Sequence, residues 1–191
     1  YGAGGSTSKH TVSIATEIKN DFGVTPLAHL TCVASNKKDI INRLKQLQEC
    51  GVTNVLALRG DIPEGFDSDN GDYKYAAELI KDIKDFGGFC IGGACYPEGH
   101  PESGTYENDI KYLKEKAPDI DLVLFPVDRR MGKDYMKGAK QFIEQIKTTI
   151  FVPMHFSEDY EGGNALRNFA ENAGCRFISI THRGESFEIT K

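Results

Sequence analysis

No stretch of this 191-residue chain approaches the ~18 consecutive apolar residues that a membrane-spanning helix needs, and no charged segment followed by an apolar one opens it. It therefore reads as soluble and cytoplasmic, with no membrane partner. A basic excess is lacking too: 23 Lys and Arg stand against 28 Asp and Glu, mixed along the chain, for a formal net charge of -5. Without a broad positive field there is little to attract nucleic acid, and small-molecule chemistry is the class that remains. Nor are the cysteines paired. The five present, Cys32, Cys50, Cys90, Cys95 and Cys175, are odd in number and form no C-x-x-C, which points to reduced thiols. Cys32, Cys90 and Cys95 lie in apolar segments that read as buried strands, so packing is a simpler role for them than nucleophilic chemistry. No initiator Met precedes Tyr1. The glycine-rich run Tyr1-Gly2-Ala3-Gly4-Gly5-Ser6-Thr7 ordinarily follows a strand, and a segment upstream of it is expected.

What the chain does have is a regular alternation of helical spacing with short apolar runs, the pattern of parallel strands joined by helical crossovers. Helices are expected at 6–22, around Ile40, Leu44 and Leu47, and around Ala76, Leu79, Ile80 and Ile83. Three more are expected around Tyr106, Ile110 and Leu113, around Tyr135, Ala139, Phe142, Ile143 and Ile146, and around Ala165, Leu166, Phe169 and Ala170. Strands are expected at 27–33, 54–58, 88–96, 122–127, 150–155 and 177–181, after which Arg183-Gly184 turns the chain into a closing hairpin strand at 186–190. Gly23, Gly51, Gly87 and Gly174 each follow a helical pattern, where a left-handed terminal residue suits glycine. The fold class is α/β: a mainly parallel sheet of repeated βα units, a partial βα barrel or an open doubly wound sheet, ending in a β-hairpin. About six or seven strands argue against a closed barrel, because the sheet edges must be paired or covered. Pro118 marks a change of style, from glycine-rich strand ends upstream to Pro126-Val127-Asp128 and Pro153-Met154-His155 downstream.

In such a sheet, ligands bind beyond the carboxyl ends of the strands. At the end of 54–58, Arg59-Gly60-Asp61 places a glycine that admits close approach between a guanidinium and a carboxylate, and Asp61 reads equally as a cap for the next segment. After the next strand, Tyr96-Pro97-Glu98-Gly99-His100-Pro101-Glu102 packs an aromatic, two carboxylates and an imidazole between two prolines, a rigid polar loop of functional type. Glu98-x-His100 is a weak metal pair without further ligands nearby. His29 reads as a bonded core histidine or as a pocket wall. Asp128-Arg129-Arg130 and His155 are candidates for phosphate or metal contacts, with a capping or pocket-wall role favoured.

Four segments, Tyr1 to Thr7, His29-Leu30-Thr31-Cys32, Leu56-Ala57-Leu58-Arg59-Gly60-Asp61 and Tyr96 to Glu102, in that order and spacing, resemble methylenetetrahydrofolate reductase over residues 1 to about 117. The resemblance implies a βα barrel that holds FAD and passes hydride from NAD(P)H to methylenetetrahydrofolate. By position it implies FAD contacts at His29, Leu58, Arg59, Gly60, Asp61, Tyr96, His100, Asp109 and Lys116, with Asp61, near both flavin and folate, as the catalytic candidate. Tyr112 and Glu115 match the family poorly. A negative Asp61 beside an isoalloxazine would disfavour further negative charge on the reduced ring and lower its potential, while Lys116 and His100 suit the pyrophosphate. The family's first strand, with its general-acid glutamate, is expected before Tyr1. The strand expected to carry a folate-binding glutamine is replaced by the segment from Asp121 to Arg130.

From about 119 to 191 the chain instead resembles the C-terminal end of a metallo-β-lactamase-fold hydrolase, through Leu124-Phe125-Pro126-Val127-Asp128, the helix at 139–146 and Ile150 to Phe156. That resemblance implies a metal-ligand role for His155. The His-x-His-x-Asp-His cluster that would supply the other ligands is nowhere in the sequence, and a metal needs about three or four protein ligands, so zinc is not expected. The expectation is a single domain, 1–191, of chimeric origin, with a reductase-like half barrel at 1–117 and a metallo-hydrolase-like βαβαβ segment at 118–191. Its leading function is an FAD-binding domain of reductase type with impaired activity, folate and nicotinamide as small-molecule partners, and a homo-oligomer left open. Two alternatives stand beside it: a chimeric or designed scaffold without activity, and a remnant metal-dependent hydrolase using His155 with Asp128 or Glu98.

Overall fold

The run Asn54-Val55-Leu56-Ala57-Leu58 alternates half-buried with buried residues and forms the central strand of a three-stranded parallel sheet. The computed structural model describes residues 10–61, 71–94, 105–117 and 119–189, and the chain divides into two compact units, Tyr1–Ala94 and Cys95–Lys191.

The first unit runs α1 (Thr11–Phe22), β1 (Ala28–Thr31), α2 (Lys37–Glu49), β2 (Asn54–Leu58), α3 (Ala76–Phe86) and β3 (Cys90–Gly93), with sheet order β1-β2-β3. Local chemistry sets the helix ends. Asn36 caps α2 by accepting from the Asp39 N–H at 2.9 Å, and the Glu78 carboxylate turns back to accept from the N–H groups of Lys74 and Tyr75 at 2.6 and 3.0 Å. Lys19 of α1 donates to the Gly51 carbonyl at 2.6 Å, a cation at the carboxyl end of α2. The core is aliphatic: Ile40, Leu44 and Leu47 recur at helical spacing on α2 and pack with Leu79 and Ile83 of α3 and with Ala15 of α1. The strand residues sharing that core are Ala28 and Leu30 of β1 and their register partners Val55 and Ala57 of β2, alternate positions on each strand, with Cys32 just past β1. Three helices therefore cover one face of this sheet, as in a βα barrel. His29, Thr31, Leu56 and Leu58 stand on the other face.

The second unit runs α4 (Tyr106–Lys116), β4 (Asp119–Pro126), a 3₁₀ turn (Arg129–Met131), α5 (Lys137–Gln145), β5 (Lys147–Met154), α6 (Tyr160–Asn164), α7 (Arg167–Asn172) and β6 (Arg176–Phe177), with sheet order β4-β5-β6. Here four phenylalanines join an otherwise aliphatic core. Phe125 lies 5.3 Å from Phe142 and 5.9 Å from Phe151, and Phe151 lies 5.8 Å from Phe177, ring centre to ring centre. Ile110 of α4 joins this cluster, so α4 packs with the second unit although it precedes Pro118.

The chain is thus α/β, built from βα units in parallel sheets that are not closed. Several details differ from expectation. The strands form two three-stranded sheets instead of one. Cys90, expected to be buried, is exposed on β3, an edge strand. The sixth helix is split into α6 and α7, and β6 is two residues long. The closing hairpin is not formed among the described residues: Gly184 makes its turn at φ 81, but the Glu185 carboxylate accepts from the N–H groups of Thr181 and His182 at 2.6 and 3.4 Å. Those are main-chain donors that a hairpin ladder would use. The Asn164 side chain does the same upstream, donating to the Ile180 carbonyl at 2.6 Å and accepting from its N–H at 3.2 Å.

Candidate functional site

β1 and β2 stay bonded past their ends. The Cys32 N–H donates to the Leu58 carbonyl at 3.1 Å and the Val33 N–H to the Arg59 carbonyl at 2.7 Å. Beyond that point Gly60 takes φ 86, a conformation that favours glycine, and delivers an exposed Asp61 to the rim. On the face away from the helices, His29 is paired in register with Leu56 and Leu56 with Gly92, while Thr31 is paired with Leu58. Gly92 keeps that face low: a Cβ there would meet Leu56 Cδ1 at 3.1 Å. The row His29, Leu56, Gly92 crosses the three strands, and Arg59-Gly60-Asp61 continues β2 past Leu58; a low face with a glycine and a carboxylate beyond the strand end suits a flat ring.

Of the expected site residues, the structure places Leu58, Arg59, Gly60 and Asp61 at the carboxyl end of β2, and His29 on the neighbouring β1 as the second of its four residues, in register with Leu56. Tyr96 and His100, like Glu98, lie outside the described residues. Asp109 and Lys116 fall on α4 in the second unit, and their side chains also lie outside the described ones. Gly92 and the turn after β1 were missed. A paired glycine inside a strand, Gly92-Gly93, is a legible sign of close approach; nothing in the pattern of residues marks the turn. Burial pushes the Cys32 thiol, beneath this rim, up to about 11, so it stays a neutral packing group.

The family model described as Methylenetetrahydrofolate reductase matches residues 1–119. The chain belongs to the methylenetetrahydrofolate reductase family. It is 40% identical over 107 residues to "Probable methylenetetrahydrofolate reductase (NADPH)" of Caenorhabditis elegans, covering 55% of this chain and 16% of that protein. It is 38% identical over 120 residues to "5,10-methylenetetrahydrofolate reductase" of Buchnera aphidicola, covering 61% and 39%. It is 35% identical over 176 residues to "Methylenetetrahydrofolate reductase 2" of Schizosaccharomyces pombe, covering 88% and 25%. The chain thus spans well under half the length of these reductases. The last alignment takes in so much of the chain that it runs past residue 119. The metallo-β-lactamase likeness of 119–191, and with it the chimeric origin, finds no support in any of these comparisons.

In the second unit the strand-end residues are engaged with one another. The Asp128 carboxylate accepts from the Arg130 N–H at 2.9 Å, capping the 3₁₀ turn, and from Arg130 Nε at 2.8 and 2.9 Å; hydrogen bonds from Arg130 hold its pKa below the usual carboxylate range. Arg130 Nη2 also donates to the His155 carbonyl at 2.8 Å, and His155 sits at φ 66. Arg129 is ion-paired with Asp159 at 3.3 Å. Among the described residues no group of three or more His, Cys, Asp or Glu is placed to hold a metal ion. None of their helices is long and apolar enough to cross a membrane.

Proposed function

We infer that this chain is an FAD-binding part of a cytoplasmic methylenetetrahydrofolate reductase-like oxidoreductase. The observation that carries the reading is the end of β2: Arg59-Gly60-Asp61, with Gly60 at φ 86, beside the open row of His29, Leu56 and Gly92. Bound FAD would supply hydride transfer between a nicotinamide, NADH or NADPH, and methylenetetrahydrofolate. In this reading His29 and Leu58 bound the flat ring, Arg59 and Gly60 border it, and Asp61 serves as the catalytic carboxylate. Tyr96, His100, Asp109 and Lys116 are assigned to FAD by their match to the family alone. The folate-binding glutamine has no match in the segment from Asp121 to Arg130, so flavin binding is proposed with turnover impaired.

Titration with FAD, followed by quenching of flavin fluorescence, tests the reading. Saturable uptake at one equivalent is expected. In the complex, Asp61→Asn should raise the flavin midpoint potential by about 30 mV, a tenfold shift of a two-electron equilibrium, because a negative charge beside the reduced ring has been removed. A folded chain that takes up no FAD sinks the reading.

A further inference from the structure

In a regular parallel strand, successive carbonyls point to opposite neighbours. At the end of β2 that alternation breaks. The Leu58 carbonyl accepts from Cys32 N–H, and the very next one, that of Arg59, accepts from Val33 N–H. Both face β1, so the peptide joining Arg59 to Gly60 is turned over relative to the ladder, and Gly60 at φ 86 absorbs the reversal. No cis peptide is present, and in a trans peptide the N–H lies opposite the C=O. With the Arg59 carbonyl held toward β1, the Gly60 N–H is aimed the other way, toward the β3 side of the strand end.

The donor that holds this reversal belongs to a strained turn. The Ser35 N–H donates to the Cys32 carbonyl at 3.0 Å, closing a four-residue turn with Ala34 in its third position at φ 54. Glycine ordinarily fills that position, and alanine persists there only when its surroundings over-determine it. They do so on both sides. Val33 N–H is held by Arg59 at 2.7 Å, Ser35 is buried, and Asn36 starts α2 through its cap.

We propose that the turn at 32–35 is a strap, with Ala34 as its positioning residue, that fixes the Arg59–Gly60 peptide so that the Gly60 N–H meets an acceptor atom of a flat heteroaromatic ring. That ring is the flavin of the proposed function, and the inference rests on that reading. Ala34 touches no ligand; it acts through the Val33 N–H and the Arg59 carbonyl.

The test pairs Ala34→Val, whose branched side chain disfavours positive φ, with Ala34→Gly, which relieves the strain. Amide hydrogen exchange is measured without ligand, and FAD binding by titration with the visible spectrum of the bound flavin. In the parent the Val33 amide is protected. Ala34→Val is expected to speed its exchange and weaken FAD binding by about tenfold each, with an altered bound spectrum, while Leu30 and Leu56 keep their protection. Ala34→Gly is expected to stay within about twofold of the parent in both. An unprotected Val33 amide in the parent overturns the strap, and this needs no variant to fold. So does an Ala34→Val protein that binds FAD as tightly as the parent with the same spectrum. A parent with a protected Val33 amide and no FAD uptake fails the flavin reading instead, and the exchange of Val33 in Ala34→Val then judges the strap alone.

Discussion

The two units finish their strands by different means. In the first, the rim is held by main-chain bonds, Cys32 to Leu58 and Val33 to Arg59, with Ala34 as the left-handed residue. In the second, it is held by charged side chains, Asp128 to Arg130 and Arg130 to the His155 carbonyl, with His155 and Ser157 left-handed. A main-chain clamp needs no acid or base of its own. The ionic clamp instead uses up the groups that looked like chemistry in the sequence, which is why Asp128 and Arg130 are better read as structure. The cores differ too: the first is mainly aliphatic, whereas the second sets four phenylalanines in ring contact among its aliphatic side chains.

The contrast between cores predicts the largest effect. Phe151 is fully buried between Phe125 and Phe177, and Phe151→Ala should cost about 3–5 kcal/mol in chemical denaturation, for transfer and for a cavity the neighbouring rings cannot fill. A loss under about 1 kcal/mol would mean that the rings collapse onto one another and that the stack is replaceable. Next in size is Gly163→Ala. Its Cβ would stand 2.5 Å from Phe156 Cδ1, so the ring beside the His155 rim must move, at about 1–3 kcal/mol in the same measurement. An unchanged midpoint would show the rim of the second unit to be loose, contrary to its ionic clamp.

How legible each region was follows from the same contrast. β2 was readable to its boundaries because an apolar run between a turn and a glycine has one stable pairing, and α2 because Ile40, Leu44 and Leu47 fall on one face. The place of Arg59-Gly60-Asp61 at a strand end was readable because a glycine and charged residues interrupt the apolar run there. The tail was not. Asn164 and Glu185 take main-chain groups of 180–182 with their side chains, and side-chain capture of a would-be strand leaves no periodic trace. Ala34 is illegible for another reason: its strain is imposed by a partner strand distant in sequence, where local propensity has no say.

The smallest predicted effect separates the units by pH. Burial raises Cys32 above its ordinary value of 9.0 to about 11, so its folded form favours the protonated thiol. That contribution is whole below about pH 9 and is lost as pH rises toward the folded value. Asp128 is shifted the other way, chiefly by its bond from Arg130, below its ordinary 3.8. Its contribution is whole above the ordinary carboxylate range and disappears as pH falls through the lower folded value. Melting curves across pH should therefore show Cys32→Ala flattening the alkaline limb alone and Asp128→Asn flattening the acid limb alone. If Asp128→Asn lowers the Tm by the same amount at about pH 3 as at neutral pH, its carboxylate charge is not what holds the rim, and the ionic half of the comparison fails.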